Sequence, residues 1–304
     1  MDQQRKKTAV ATLSVISNSC LVVMKLVVGT LIGSVSVISE AIHSGVDLLA
    51  ALIALLAVRR SGKPPDIEHP YGHGKVENVS GAIEALLIFV AAGWIIYEAI
   101  GRLRHPEPMG SVSWGVGVML VSSVVNILVS RQLFKVGKET DSIALKADAW
   151  HLRTDVYTSA GVMAGLGLIW LGGVIWPHKQ LGWIDPVAAM AVALLIIKAA
   201  YDLTRDSARD LLDAKLPEEE EEWIRTTITD HGGVVRGLHD LRTRKSGAHR
   251  FVEFHVRVPG EMSVREAHDE TAVLGEKIKE RFPGTAVTIH VDPCGLEGLP
   301  KCGD

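Results

Sequence analysis

Long apolar blocks separated by short polar connections fill the chain to about residue 205, after which charged residues become frequent and the apolar runs shorten. Six segments, near 8–30, 36–58, 78–100, 112–134, 144–172 and 183–204, reach or approach the roughly 20 residues that cross a bilayer as a helix. Asn18, Ser122, Ser123 and Asn126 interrupt them, and small, weakly polar residues of this kind suit close helix packing in lipid. Beyond 205 the pattern changes. Pro217 followed by Glu218 to Glu222 predicts a helix N-terminus over 217–230. Leu238–Lys245 and Arg250–Val258 then read as strands joined at Ser246-Gly247, with Phe251, Glu253, His255 and Arg257 alternating against Val252, Phe254, Val256 and Val258. A helical period over Val264–Arg281 stops at Pro283-Gly284, and Ala286–Val291 supplies a third strand. The expectation is an α-helical membrane domain of six transmembrane helices over 1–207, and an α/β domain of αββαβ order, a two-layer sandwich, over 208–304.

Charge sets the orientation. The N-terminal tail (Arg5, Lys6, Lys7), the second connection (Arg59, Arg60, Lys63, Lys75) and the fourth (Arg131, Lys135, Lys138, Lys146) hold eleven basic residues, against three (Arg102, Arg104, Lys179) on the other side. That excess predicts both termini, and everything after 205, in the cytoplasm. The first apolar block is too long for a signal peptide and lacks a small-residue cleavage signal, so it is expected to be a retained span. A net charge of −3 gives no sign of nucleic-acid binding. Cys20, Cys294 and Cys302 are too few and scattered for a disulfide framework or a CxxC site, and are expected to be ordinary thiols.

The chemistry begins inside the apolar blocks. His43/Asp47 and His151/Asp155 are each spaced i, i+4, which puts both side chains on one face of a helix. Two such pairs supply two imidazoles and two carboxylates, a set that suits a tetrahedral zinc ion. Ionisable groups at membrane depth are costly and mark ion paths. Neutral imidazole binds metal and imidazolium does not, so binding at such a site competes with protons near neutrality. Glu40 precedes His43 by three residues and reads as a group near the outer interface; Arg153 points away from His151 and is expected to snorkel or to pair with an acid. Glu84, Glu98 and Asp202 read as interfacial or interhelical partners.

Two further sets lie outside the spans. Asp66, His69 and His73 fall within eight residues of a Pro- and Gly-bent connection and can close on a metal from a loop; a structural loop is the alternative. His239, His255, His268, His290 and Asp292 are dense in the soluble part, with His290 and Asp292 on one side of a strand, but spacing alone leaves a metal site and surface histidines equally open.

HPYGHGKVE (His69–Glu77), the two HxxxD motifs, HDLRTRKSG (His239–Gly247) and IHVDPC (Ile289–Cys294) together resemble the cation diffusion facilitator family, and its bacterial YiiP-like zinc/iron branch in particular. The resemblance runs from the first span to Cys294. It implies a homodimer of a six-helix membrane domain and a cytosolic ferredoxin/metallochaperone-like αββαβ domain, exchanging divalent metal for protons across an inner membrane. It further implies that His43, Asp47, His151 and Asp155 form the transport site, that Asp66, His69 and His73 form a loop site, and that His239, His255, His268, His290 and Asp292 form a binuclear tail site. Lys75 and Asp213 match an interlocking contact at the dimer neck. His43 stands where the YiiP-like branch has Asp; a set of two imidazoles and two carboxylates favours Zn2+ over manganese. An intramembrane metal hydrolase is not suggested, since no HExxH is present. A non-transporting sensor or scaffold would not need four intact membrane ligands.

Overall fold

The computed structural model describes residues 2–32, 35–104, 113–175, 183–232 and 235–294. The chain divides into two compact units, Met1–Ala208 and Arg209–Asp304.

The first unit is helical: α1 (Asp2–Ile32), α2 (Val35–Ser61), α3 (Lys75–Arg104), α4 (Ser113–Glu139), α5 (Ile143–Ile175) and α6 (Ile184–Leu211). Among the described residues, five of these are long and apolar enough to cross a bilayer; the remaining one, α5, is 33 residues long. Each helix overlaps one of the six apolar segments of the sequence. Every backbone polar group in such a segment must be bonded within it, which only a continuous helix achieves in lipid. α1 packs on α2 and α4, and α5 packs on α2, α3 and α4. Two apolar clusters hold the bundle. One joins Ala11, Leu55, Val58, Leu133, Leu145 and Leu152; the other joins Ala85, Ile88, Ile143, Ala147, Ile196 and Ala200. Alanines such as Ala11, Ala85, Ala147 and Ala200 alternate with the larger residues, as close packing rather than hydrophobic exclusion drives association in a membrane. Gly81 shows why: a Cβ there would lie 2.7 Å from Ile143 Cγ2 and 2.7 Å from Ser207 Oγ, so α3 meets α5 and α6 without room for a side chain.

One polar knot ties the helices at the end carrying the α2–α3 connection. Glu77, fully buried at the start of α3, accepts from Lys7 Nζ of α1 at 2.8 Å, from Ser61 Oγ of α2 at 2.6 Å and from Ser142 Oγ in the α4–α5 turn. Lys7 therefore belongs to the packed interior, although its sequence neighbourhood reads as a solvated basic tail.

The second unit contains α7 (Glu218–Thr229), β1 (Arg236–Ser246), β2 (His249–Val258), α8 (Val264–Arg281) and β3 (Ala286–Pro293), the αββαβ order read from the sequence. The sheet order is β1-β2-β3, with β1 and β2 antiparallel and β2 and β3 parallel across α8. Val252, Phe254 and Val256 face Ile224 and Ile228 of α7 and Leu274 and Ile278 of α8 in one core. α8 begins with a capping box: Ser263 Oγ accepts from the Glu266 backbone N–H, and the Ser263 N–H donates to Glu266 Oε2. One expectation fails here. Cys294, at the end of β3, is disulfide-bonded rather than a free thiol, while Cys20 is free. A single bond needs only two cysteines close in space, which framework spacing does not test.

Candidate metal centres

The membrane quartet is built from two crossed pairs. His151 Nε2 of α5 lies 3.1 Å from Asp47 Oδ1 of α2, and His43 Nε2 of α2 lies 3.7 Å from Asp155 Oδ1 of α5. Rising sequence number on one helix thus meets falling number on the other, so α2 and α5 run antiparallel, and each one-turn spacing places an imidazole opposite a carboxylate. Ligand atoms of His43, Asp47 and Asp155 all lie within 4.8 Å of one another, and His151 adjoins through Asp47. The pair nearer Ser61 is buried (side chains of Asp47 and His151 at 5% and 6%), whereas His43, nearer Val35, is 54% exposed. The quartet is thus buried at one end and reaches the surface of the helical unit at the other. Arg153 stays out of it: Nε donates to Ser130 Oγ of α4 at 2.9 Å, and the guanidinium sits over Phe134, so its partner is a hydroxyl and a ring rather than an acid. The side chain of Glu40 lies outside the described residues. Glu98 pairs with Arg102 one turn on.

The loop set converges as well. Asp66 Oδ1 accepts from the His69 backbone N–H at 2.7 Å, and Oδ1 and Oδ2 lie 3.2 and 3.3 Å from His69 Nδ1 and His73 Nε2. The turn that allows this places Gly72 at φ +80°, where glycine alone is unstrained. The His69 N–H, with the two imidazoles as lesser contributors, outweighs partial desolvation and holds the Asp66 carboxyl below the usual carboxylate range. His73 is buried, yet neither ring nitrogen is in hydrogen-bond geometry with any group. A buried imidazole that faces a carboxylate without hydrogen-bond geometry is a donor set that a divalent cation would complete.

In the second unit, His239, His255 and His290 stand in one row across β1, β2 and β3, since His239 pairs with His255 and His255 with His290 in register. Asp292 is their hub: Oδ2 lies 3.2 Å from His239 Nε2 and 3.4 Å from His255 Nδ1, and Oδ1 lies 3.3 Å from His290 Nε2. His239 Nδ1 faces the Gly237 carbonyl at 2.9 Å. A carbonyl only accepts, so Nδ1 carries a proton, which leaves Nε2 as the atom that would ligate a metal ion. Sequence reasoning missed Asp240, which forms a second close set with His239 and His255. Strand alternation sends Asp240 to the far face, but irregularities in the β1 register on both sides of His239, with Asp240 at φ +49°, turn both residues toward the site. His268 does not join. It is exposed on α8, in the helical layer that covers the opposite face of the sheet, and no described set of ligand atoms includes it.

The description "cation efflux transmembrane domain" matches residues 11–212, and "cation efflux protein, cytoplasmic domain" matches residues 216–294. The chain belongs to the cation efflux family. Within that family it is 36% identical over 270 residues to an uncharacterised transporter of Synechocystis, covering 89% of this chain and 85% of that one. To the cation-efflux pump FieF of Salmonella newport it is 33% identical over 285 residues, covering 94% and 91%. The metal-bound C-terminal domain of the CzcD transporter from Thermotoga maritima is 28% identical, covering 28% of this chain and all of that domain, with a TM-score of 0.24. As a cation efflux protein the chain is a multi-pass membrane transporter of divalent metal, and its relatives are transporters rather than enzymes.

Proposed function

We propose that this protein is a proton-coupled antiporter that exports Zn2+ from the cytoplasm by alternating access, with Cd2+ or Fe2+ as secondary cargo. The carrying observation is the crossed quartet His43–Asp155 and Asp47–His151 within α2 and α5. Two imidazoles and two carboxylates suit a four-coordinate borderline ion better than an octahedral oxygen-seeking one, hence zinc over manganese. The same imidazoles hold either metal or proton, so protons arriving at the exposed end would displace the ion, and metal arriving at the other would displace protons.

The working unit in this reading is a homodimer in an inner membrane, in contact with lipid, with both termini cytoplasmic. Metal at the loop set Asp66, His69 and His73 would brace the α2–α3 connection. Metal at His239, His255, His290 and Asp292, with Asp240 as an added ligand, would report cytosolic zinc and bias the transporter. His268 could complete that site only from outside the sheet face on which the other ligands stand.

The test is zinc uptake into proteoliposomes with and without an imposed pH gradient. Flux that follows the gradient and reverses with it supports antiport; flux indifferent to the gradient rejects it.

A further inference from the structure

Beside the quartet sit two more carboxyl groups that the ligand set does not use. Glu84 of α3 and Asp148 of α5 are both 0% exposed. Neither oxygen of Asp148 has a hydrogen-bond partner, nor does Glu84 Oε2; Glu84 Oε1 accepts from Ser80 Oγ at 3.1 Å. Their neighbours in sequence, Ala85 and Ala147, belong to one apolar cluster where α3 and α5 pack, so the two acids come from facing helices, and they lie within electrostatic reach of each other. Asp148 precedes His151 by three residues, about 4.5 Å along the helix, and also feels Asp47.

The surroundings are short of donors and cations. The titratable groups facing Asp148 are Asp47 on α2, Glu84 on α3 and His151 on its own helix. α1 brings the hydroxyl of Ser14 close enough to act on Asp148, though outside strict hydrogen-bond geometry. α4 presents apolar residues such as Val129 and Leu133 to this stretch of α5, and α6 brings the neutral Ser207 to the α3 contact at Gly81. Two ionised carboxylates with free oxygens in such a place would each lose hydration and repel the other. A proton held on either carboxyl removes the repulsion and one of the two desolvation costs. A pair that served packing alone would show its oxygens satisfied.

We propose that Glu84 and Asp148 form a proton-holding carboxyl pair that discharges when metal enters the neighbouring quartet and recharges when metal leaves, so that a coupling proton comes from outside the ligand set. The inference rests on the antiport reading above. As the dication arrives one turn away, a carboxyl O–H of the pair breaks and its proton passes to water; as the dication departs, water returns a proton to the pair. Electrons stay on the carboxylate oxygens throughout.

The test measures zinc and protons together in proteoliposomes holding the full chain, for wild type, Glu84→Gln and Asp148→Asn. Each variant should still move zinc but carry about one proton fewer per zinc, with a flatter pH dependence. Wild type moving zinc without any proton counterflow would overturn antiport and this pair with it. Proton exchange in wild type that both variants keep at the same ratio would overturn the pair alone. Infrared difference spectra provide a second readout that does not depend on the variants folding. Zinc should bleach a protonated-carboxyl band in wild type; no bleach overturns the proposal.

Discussion

Asp47 Oδ1 lies 3.1 Å from His151 Nε2, buried across the interface of two antiparallel helices, while one turn away His43 faces Asp155 at the exposed end. The contrast in exposure between two chemically identical pairs gives the quartet a direction. Replacing His43 by Asp should leave a binding site but change its taste, since a third carboxylate makes the set harder. Competition assays should show the manganese-to-zinc preference rising by roughly tenfold or more, a shift of about 1.4 kcal/mol; an unchanged preference would remove His43 from the selectivity argument.

Glu77 joins three helix ends and a turn through one buried carboxylate. Removing one partner of a buried pair leaves an uncompensated charge, at a cost of about 3–5 kcal/mol. Lys7→Met should therefore lower the Tm of the purified protein markedly. The double variant Lys7→Met/Glu77→Gln should recover part of the loss, because neither charge is then stranded; equal Tm values for Lys7→Met and wild type would show the knot to be idle.

At the tail, Asp292 contacts three imidazoles whereas His268 lies in the other layer. Calorimetric titration with zinc should show Asp292→Ala losing far more tail affinity than His268→Ala. Saturating metal at about 100 times its Kd should add about 2.7 kcal/mol to the stability of that unit, and a chelator should remove it. The reverse ranking of the two variants would place the site elsewhere.

Glu266 is held below the ordinary carboxylate range by the Ser263 side chain first and the Ser263 backbone N–H second. A carboxyl with a depressed folded value contributes stability above its unfolded value, near 4.5, and loses that contribution as pH falls through the lower folded one. Amide protection over the first turn of α8, taken relative to the intrinsic exchange rate at each pH, should thus fall on acidification below that range in wild type. In Glu266→Gln the acid-dependent step should vanish, and its persistence would assign the step to another group.

Much of the fold was legible because apolar runs of bilayer length admit little but helices, and because alternation at Phe251–Val258 separates the buried Val252, Phe254 and Val256 from the site face bearing His255. The HxxxD spacing likewise placed each His and Asp on one face. Three things were not legible. Asp240 turns inward only because β1 bulges on both sides of His239, and bulges leave no mark in period-two alternation. Lys7 reads as part of a basic tail, since its pairing with Glu77 across 70 residues is invisible along the chain. Asp148 looks like one polar residue beside a motif until α3 brings Glu84 up to it.

The central claim is that the α2/α5 quartet carries the transported ion and the other sets do not. The most direct measurement is zinc flux under a pH gradient in proteoliposomes for Asp47→Ala and Asp155→Ala beside Asp66→Ala and Asp292→Ala, each checked for folding. The first two should abolish flux, and the last two should slow it while leaving it measurable. Full flux in Asp155→Ala would contradict the account.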